Sequence, residues 1–172
     1  SGIRLVLVGV FMSLFLAGRY LPALSIFVFA FFTDVLDGQL ARANGWVSDL
    51  GKLLDPLADK MMTLAALICI YVGKHKPIYL ILFLLMAFKE LMMMIGGLLL
   101  AKRKVVVMAY WPGKIATGLF AVGVMLSLLS FLSLEVEPWD RVILSVATAM
   151  SYFALVFYAC MQLPNYFHHS PE

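Results

Sequence analysis

The sequence is short of charged residues and of cysteines, and both shortages narrow the class of protein. Charged residues make up 13% of the 172 residues and hydrophobic ones 63%, whereas a soluble domain carries about 25% charged residues. The net charge of only +3, with no continuous basic stripe, argues against a nucleic-acid partner. Cys69 and Cys160 both lie in apolar segments, so we expect neither a disulfide framework nor a thiolate metal site. A chain this apolar is expected to have lipid as part of its solvent.

Six apolar segments are long enough to cross a bilayer, which needs about 20 residues per helix. Turn or charge signals separate the segments, and we find neither a linker nor an internal repeat. We therefore predict an all-α integral membrane protein whose residues 1–172 form one domain of six transmembrane helices. Because the chain begins at Ser1 rather than at Met, we expect either residues left by cloning or a truncation upstream. The predicted segments are 3–18, 22–43, 52–73, 77–101, 113–133 and 139–163.

The distribution of Lys and Arg predicts the orientation of these helices. Seven of these residues fall on the side that holds both termini and four on the other side. Since cytoplasmic loops carry the excess of Lys and Arg, both termini are expected in the cytoplasm. The seven are Arg4, Arg42, Lys52, Lys102, Arg103, Lys104 and Lys114, and the four are Arg19, Lys74, Lys76 and Arg141.

Four aspartates lie in the second and third predicted helices, where ionisable residues are costly and persist mainly with partners. Asp34 and Asp37 are three residues apart, and Asp55 and Asp59 are four apart, so each pair projects from one helix face. A short loop makes the two helices antiparallel neighbours, which lets the pairs meet. Converging carboxylates repel one another unless cations neutralise them, and Mg²⁺ and Mn²⁺ prefer oxygen ligands. We therefore predict a divalent-metal site with room for two ions.

Residues beside the carboxylates indicate a phosphate ligand. Gly38 and Gly51 lack side chains that would keep a bulky ligand away from the helix backbones, and Arg42 offers a planar donor fork suited to phosphate. Together with the metals they predict a site for a metal-bound pyrophosphate near the membrane surface. The alternative is a set of internal salt bridges in which Arg42, Lys52 and Lys60 neutralise the aspartates. Apolar residues would pack at lower cost than such a buried network, which favours the metal site.

Taken together, these residues form the pattern Asp-x2-Asp-Gly-x2-Ala-Arg-x8-Gly-x3-Asp-x3-Asp, complete over residues 34–59. The pattern resembles the signature of the CDP-alcohol phosphotransferases, six-helix integral membrane enzymes of phospholipid synthesis. The resemblance implies transfer of the phosphatidyl group of CDP-diacylglycerol to an alcohol, with release of CMP. It further implies that Asp34, Asp37, Asp55 and Asp59 bind the metals, that Asp59 also deprotonates the attacking hydroxyl, and that Gly38, Ala41, Arg42, Ser48 and Gly51 contact the nucleotide part of the CDP-lipid.

Weaker resemblances bear on the acceptor alcohol. The run from Asp55 to Lys60, the pair Lys89-Glu90 and the stretch Gly113-Lys114-x2-Thr117 are similar to those of phosphatidylglycerophosphate synthases, and the first is also similar to cardiolipin synthases. We expect glycerol 3-phosphate as the acceptor, with phosphatidylglycerol or another alcohol of the family as the alternative. For Lys89, a structural ion pair with Glu90 is a second interpretation, and for the cluster Lys102–Lys104 a topology signal that touches lipid headgroups is the alternative. The residues expected to bind the acceptor phosphate are Lys89, Arg103, Lys114 and Thr117.

Two further expectations concern the setting of the site. The resemblance implies a homodimer. We expect the chain to lie among the lipids of a bacterial inner membrane, and the distribution of Lys and Arg predicts an active site on the cytoplasmic side. From a different class, a cation transporter or channel would also place carboxylates inside a membrane. The four aspartates, however, cluster toward one end of two helices and do not line a path across the bilayer, which favours the enzyme.

Overall fold

The computed structural model describes the backbone of residues 2–44, 49–102, 111–132 and 135–168, and the side chains of residues 3, 5–33, 60–97, 99, 111–132 and 135–161. Within these ranges the regular structure is entirely α-helical, which confirms the predicted class. Each helix overlaps one of the six predicted segments. In chain order the helices are α1 (Gly2–Leu16), α2 (Tyr20–Asn44), α3 (Asp49–Lys74), α4 (Pro77–Lys102), α5 (Trp111–Ser130) and α6 (Trp139–His168).

Among the residues whose side chains the structure describes, three helices contain a stretch that is long and apolar enough to cross a membrane: Pro77–Gly97, Trp111–Ser130 and Trp139–Met161. Shorter apolar stretches lie in α1 and α2. The outer face of α4 is apolar as well, and both Leu84 and Phe88 are 56% exposed. Large apolar side chains that face outward along a helix are suited to contact with lipid tails.

Successive helices alternate in direction, so each end of the bundle collects both helix starts and helix ends. Lys60, in the first half of α3, contacts Glu90 in the second half of α4. Lys74, at the end of α3, contacts Asp140 at the start of α6. We call the end at which α2 ends and α3 begins the motif end, and the end that holds Lys74 and Asp140 the opposite end.

Aromatic rings fill the core between the first helices and the end of α5. Phe11 is buried, with its ring centroid 6.3 Å from that of Phe15 and 6.0 Å from that of Phe27. Phe131, just beyond α5, stacks on Tyr20 at 4.8 Å and meets Phe15 edge-on at 5.1 Å. Aromatic pairs favour offset-stacked and edge-to-face geometries, and these contacts join α1, α2 and the end of α5 at the opposite end.

Two glycines allow the chain to turn and the helices to approach. Gly18 follows the last turn of α1 and has a φ of 73°. The N–H of Gly18 donates to Phe15 O, and the N–H of Arg19 donates to Leu14 O. This is the Schellman arrangement, which glycine favours. At Gly123 in α5, a Cβ would lie 2.8 Å from the side chain of Leu144. The missing side chain therefore permits the close contact between α5 and α6.

A network of ion pairs closes the opposite end, and its Lys74–Asp140 pair is buried. Asp140 is 0% exposed and accepts hydrogen bonds from Lys74 Nζ at 2.6 Å and from Tyr79 OH at 2.7 Å. Lys74 also contacts Glu137 at 2.9 Å, and Lys76 donates to Glu137 at 2.5 Å. The hydrogen bonds from Lys76 and Lys74 hold the pKa of Glu137 below its usual value. In this network two lysines and two carboxylates neutralise one another.

Candidate functional site

The four aspartates of the sequence motif lie on the two helices where they were predicted. Asp34 and Asp37 belong to the second half of α2, and Asp55 and Asp59 to the first half of α3. The side chains of residues 34–59 lie outside the described part of the structure, and Ser48 lies outside it altogether. The metal and nucleotide assignments of these residues therefore stay predictions. Among the described residues there is no group of three or more His, Cys, Asp or Glu side chains that could hold a metal.

The described residues next to the motif show how its two helices are arranged. A small cavity of about 30 Å³ lies between α2, α3 and α5. Ala30 and Phe31, one turn before Asp34, line it from α2, and Thr63, one turn after Asp59, lines it from α3. The residues just before the motif in α2 and just after it in α3 therefore lie on either side of one narrow space, as expected if the aspartates face a common site.

A larger cavity of about 250 Å³ lies at the motif end, between α3, α4, α5 and α6. Three of the four residues predicted to bind the acceptor phosphate line it, namely Lys89, Lys114 and Thr117. The fourth, Arg103, lies outside the described residues. The structure therefore brings side chains from α4 and α5, distant in sequence, to one space.

On the α3 and α4 side, the wall of this larger cavity holds an ionic cluster. Glu90 contacts Lys89 through Oε1 at 2.5 Å and Lys60 through Oε2. The side chain of Lys89 is 10% exposed, that of Glu90 13% and that of Lys60 27%. The predicted ion pair between Lys89 and Glu90 is confirmed, and the same lysine also faces the cavity. Lys60 extends the cluster to the helix that carries Asp59.

The wall formed by α5 is more exposed. Lys114 lies in the first turn of α5 with its Nζ 5.8 Å from the ring centroid of Trp111, and Thr117 donates a hydrogen bond to Gly113 O at 3.0 Å. A Cβ at Gly113 would lie 3.2 Å from the hydroxyl oxygen of Tyr158. Gly113 thus lets the aromatic side chain of α6 lie against the start of α5, where the two helices meet beside the cavity.

Several polar residues of the cavity were not predicted from the sequence. Thr63 lines both cavities, and Ser151 and Tyr158 line the larger one from α6. A signal for the last two exists, because they are seven residues apart in a largely apolar helix and so share one face. Their place at the cavity follows from the packing of α6 against α4, where Tyr152 OH donates to Leu85 O at 2.7 Å.

The charges of the larger cavity suit an anion with two negative charges. Among the described lining residues, Lys60, Lys89 and Lys114 are basic and Glu90 is acidic, which leaves two positive charges in excess. A phosphate monoester carries between about 1.5 and 2 negative charges at pH 7. The charges of the described lining residues can therefore neutralise one such group with little residual charge.

Comparison with known proteins identifies relatives of this chain. The sequence model of the family described as CDP-alcohol phosphatidyltransferase matches residues 1–161. A Treponema pallidum protein named CDP-diacylglycerol--glycerol-3-phosphate 3-phosphatidyltransferase is 34% identical over 114 residues, 65% of this chain and 52% of that protein. A Bacillus subtilis protein of the same name is 32% identical over 143 residues, 78% of this chain and 73% of that protein.

A second activity occurs among the relatives. A Streptomyces coelicolor protein named cardiolipin synthase (CMP-forming) is 38% identical over 74 residues, 43% of this chain and 34% of that protein. The chain thus spans about half the length of the Treponema relative and about a third of the Streptomyces one.

Proposed function

Because the chain belongs to the CDP-alcohol phosphatidyltransferase family, we propose that it transfers the phosphatidyl group of CDP-diacylglycerol to glycerol 3-phosphate. The products are CMP and phosphatidylglycerophosphate. The observation that carries this choice of acceptor is the lysine-lined cavity of about 250 Å³ beside the motif-bearing part of α3. The names of the Treponema and Bacillus relatives support the same reaction.

In this proposal the four aspartates of α2 and α3 hold Mg²⁺ or Mn²⁺, as two ions. The residues fit such ions by type, since all four are carboxylates and hard divalent cations prefer oxygen ligands. The small cavity shared by the stretches before Asp34 and after Asp59 supports their convergence. When bound, the metal neutralises charge on the pyrophosphate and makes CMP a better leaving group. Gly38, Ala41, Arg42, Ser48 and Gly51 contact the CDP part of the lipid.

Asp59 acts as the base of the transfer. Its carboxylate takes the proton of the acceptor hydroxyl, the hydroxyl oxygen bonds to the phosphorus that carries the diacylglycerol, and the bond from that phosphorus to CMP breaks. Because Asp59 immediately precedes Lys60, which lines the larger cavity, an acceptor bound there would lie close to this base.

Lys89, Lys114 and Thr117 bind the phosphate of the acceptor, and Arg103 is proposed to join them. The alternative acceptor, phosphatidylglycerol, would make the chain a cardiolipin synthase like its Streptomyces relative. Its phosphodiester carries one negative charge, whereas the described lining has an excess of two positive charges. The charge balance therefore favours the phosphate monoester.

The proposed setting is a bacterial inner membrane, crossed by all six helices of one catalytic domain comprising residues 1–172, with a homodimer as the assembly. The motif end carries the larger share of Lys and Arg, so it faces the cytoplasm, where glycerol 3-phosphate is dissolved. A cation channel is disfavoured because the opposite end is packed with paired charges and aromatic rings, including Lys74, Asp140 and Phe131.

The test is CMP release by the purified protein in CDP-diacylglycerol vesicles or micelles, with Mg²⁺ or Mn²⁺ and a panel of acceptors. We expect release with glycerol 3-phosphate, loss of activity on chelation of the metal, and recovery when either ion is returned. Release with phosphatidylglycerol alone would instead make the chain a cardiolipin synthase. Absence of release with every acceptor would contradict the enzyme assignment.

A further inference from the structure

We propose that Glu90 is a positioning residue for the acceptor phosphate. Its carboxylate holds Lys60 and Lys89 on the cavity wall in the arrangement that receives the anion. This inference rests on the proposed function, since it assumes that the larger cavity takes a phosphorylated acceptor. It adds a residue to which neither the sequence motif nor the reaction assigns a role.

The first argument is the geometry of the carboxylate. Its two oxygens contact different helices, Oε1 reaching Lys89 on α4 itself and Oε2 reaching Lys60 on α3. All three side chains line the cavity, and Glu90 is the single acidic residue among the described lining residues. The contact therefore defines where two cationic groups lie relative to the cavity and relative to each other.

The second argument concerns burial and charge. The Lys89 residue is 8% exposed, and a buried ammonium without a compensating charge would be driven toward water. Lys side chains are long and flexible, so a fixed position for the ammonium requires a partner. Glu90 supplies that partner, and it also reduces the excess charge of the described lining from three to two, which a phosphate monoester neutralises.

A purely structural role for Glu90, as a tie between α3 and α4, would make a different prediction. The opposite end offers a comparison, because Glu137 also contacts two lysines, Lys74 at 2.9 Å and Lys76 at 2.5 Å, although its side chain is 33% exposed against 13% for Glu90. Glu137 is not among the residues that line the larger cavity. The same Glu→Gln change at both positions therefore separates an effect on acceptor binding from an effect on stability.

The experiment compares Glu90→Gln, Glu90→Asp and Glu137→Gln with the unchanged protein. It measures KM for glycerol 3-phosphate, KM for CDP-diacylglycerol, kcat and the thermal midpoint. For Glu90→Gln we expect KM for glycerol 3-phosphate to rise about tenfold, since a charge-assisted contact is lost. We expect KM for CDP-diacylglycerol to stay within about twofold. Glu137→Gln should leave both KM values unchanged.

Two outcomes would overturn the inference. One is a Glu90→Gln variant whose KM for glycerol 3-phosphate is unchanged or lower, which would mean that Glu90 only repels the anion or only ties the helices. The other is an equal rise in both KM values. If Glu90→Gln does not fold, Glu90→Asp decides, because a carboxylate one methylene shorter cannot hold both lysines as before. A wild-type KM for glycerol 3-phosphate in that variant would refute the positioning role.

Equilibrium binding of radiolabelled glycerol 3-phosphate, measured without turnover, separates this inference from the proposed function. Binding that Glu90→Gln weakens about tenfold, in a protein that releases no CMP, would support the inference while the proposed reaction fails. No binding of glycerol 3-phosphate by the unchanged protein, together with CMP release to another acceptor, would overturn the inference and leave the family reaction intact.

Discussion

Each end of the helix bundle contains a glutamate held by two lysines, and the two clusters differ in what surrounds them. At the opposite end, Glu137 contacts Lys74 and Lys76, and Lys74 in turn contacts the buried Asp140. At the motif end, Glu90 contacts Lys60 and Lys89 on the wall of a cavity of about 250 Å³. Lys74 is thus packed against protein groups at the opposite end, whereas Lys60, Lys89 and Glu90 border open space at the motif end.

This difference shows how surroundings, more than residue type, separate a structural ion pair from a binding site. Lys74 is enclosed by aromatic rings as well as carboxylates, its Nζ lying 5.2 Å from the ring centroid of Tyr79 and 5.7 Å from that of Phe131. Lys89 is buried to a similar extent as Lys74, but it borders the cavity. A lysine whose neighbours are all protein groups stabilises the fold, whereas a paired lysine that also borders a cavity has, in addition, a side facing a space that a ligand could enter.

The largest effect on activity is expected for Asp59→Asn at the motif end. Loss of a general base lowers the rate about 10²- to 10⁴-fold, so kcat should fall by that factor while binding of CDP-diacylglycerol is retained. Asp140→Asn at the opposite end is the matched control and should lower stability without lowering kcat per folded molecule. If Asp59→Asn abolishes CDP-lipid binding as well, Asp59 serves chiefly the metals.

The largest effect on stability is expected for Lys74→Met at the opposite end. Asp140 is 0% exposed, and removing one partner of a buried pair destabilises by about 3–5 kcal/mol. Unfolding by denaturant in detergent would measure this loss. The double variant Lys74→Met with Asp140→Asn should recover most of it. Lys76→Met, whose side chain is 41% exposed, is the control and should cost less than about 1 kcal/mol. An equal loss in both single variants would contradict the packed character of this cluster.

A smaller, selective effect is expected for Lys114→Met in the wall of the cavity. A hydrogen bond to a charged group contributes about 1.5–3 kcal/mol, so KM for glycerol 3-phosphate should rise roughly 10- to 150-fold. Steady-state kinetics with glycerol 3-phosphate and with phosphatidylglycerol would distinguish the two acceptors. The comparison with Lys76→Met, which should leave both KM values unchanged, excludes a general effect of lost charge. An unchanged KM for glycerol 3-phosphate would point to a lipid acceptor.

The smallest effect is a dependence of stability on pH at the opposite end. The pKa of Glu137 lies below its usual value of 4.5 because Lys76 and Lys74 donate hydrogen bonds to the charged form. Its stabilising contribution is therefore present above pH 4.5 and is lost as the pH falls through the lowered pKa. For an exposed pair the change should be about 0.2–1 kcal/mol.

Thermal unfolding between pH 7 and about pH 3 would measure this dependence. Glu137→Gln should reduce the change of stability with pH. The control is Glu135→Gln, at an exposed residue two positions earlier, and it should leave that change as it is in the unchanged protein. Equal curves for the unchanged protein and for Glu137→Gln would show that the pair contributes nothing to stability.

Much of the fold was predictable because its signals are local. Apolar length places each helix, and a turn signal such as Gly18 ends α1 with a φ that glycine adopts readily. The pair of neighbours Lys89 and Glu90 was likewise predictable as an ion pair. Contacts between helices were not predictable from the sequence. The hydrogen bond from Lys60 to Glu90, for example, joins residues 30 positions apart. Such contacts depend on how each helix is rotated in the bundle, which local spacing does not define.

The sequence by itself determined the helical class, the number of helices, the family and the placement of the four aspartates on α2 and α3. These follow from hydrophobic length and from fixed spacing along one chain. Only the tertiary structure decided that Lys89, Lys114 and Thr117 meet at one cavity, that Ser151 and Tyr158 complete it, and that Lys74 is packed away at the other end. The physical reason is that a cavity is defined by the faces that four helices turn toward one another, and those faces are chosen by packing over the whole bundle.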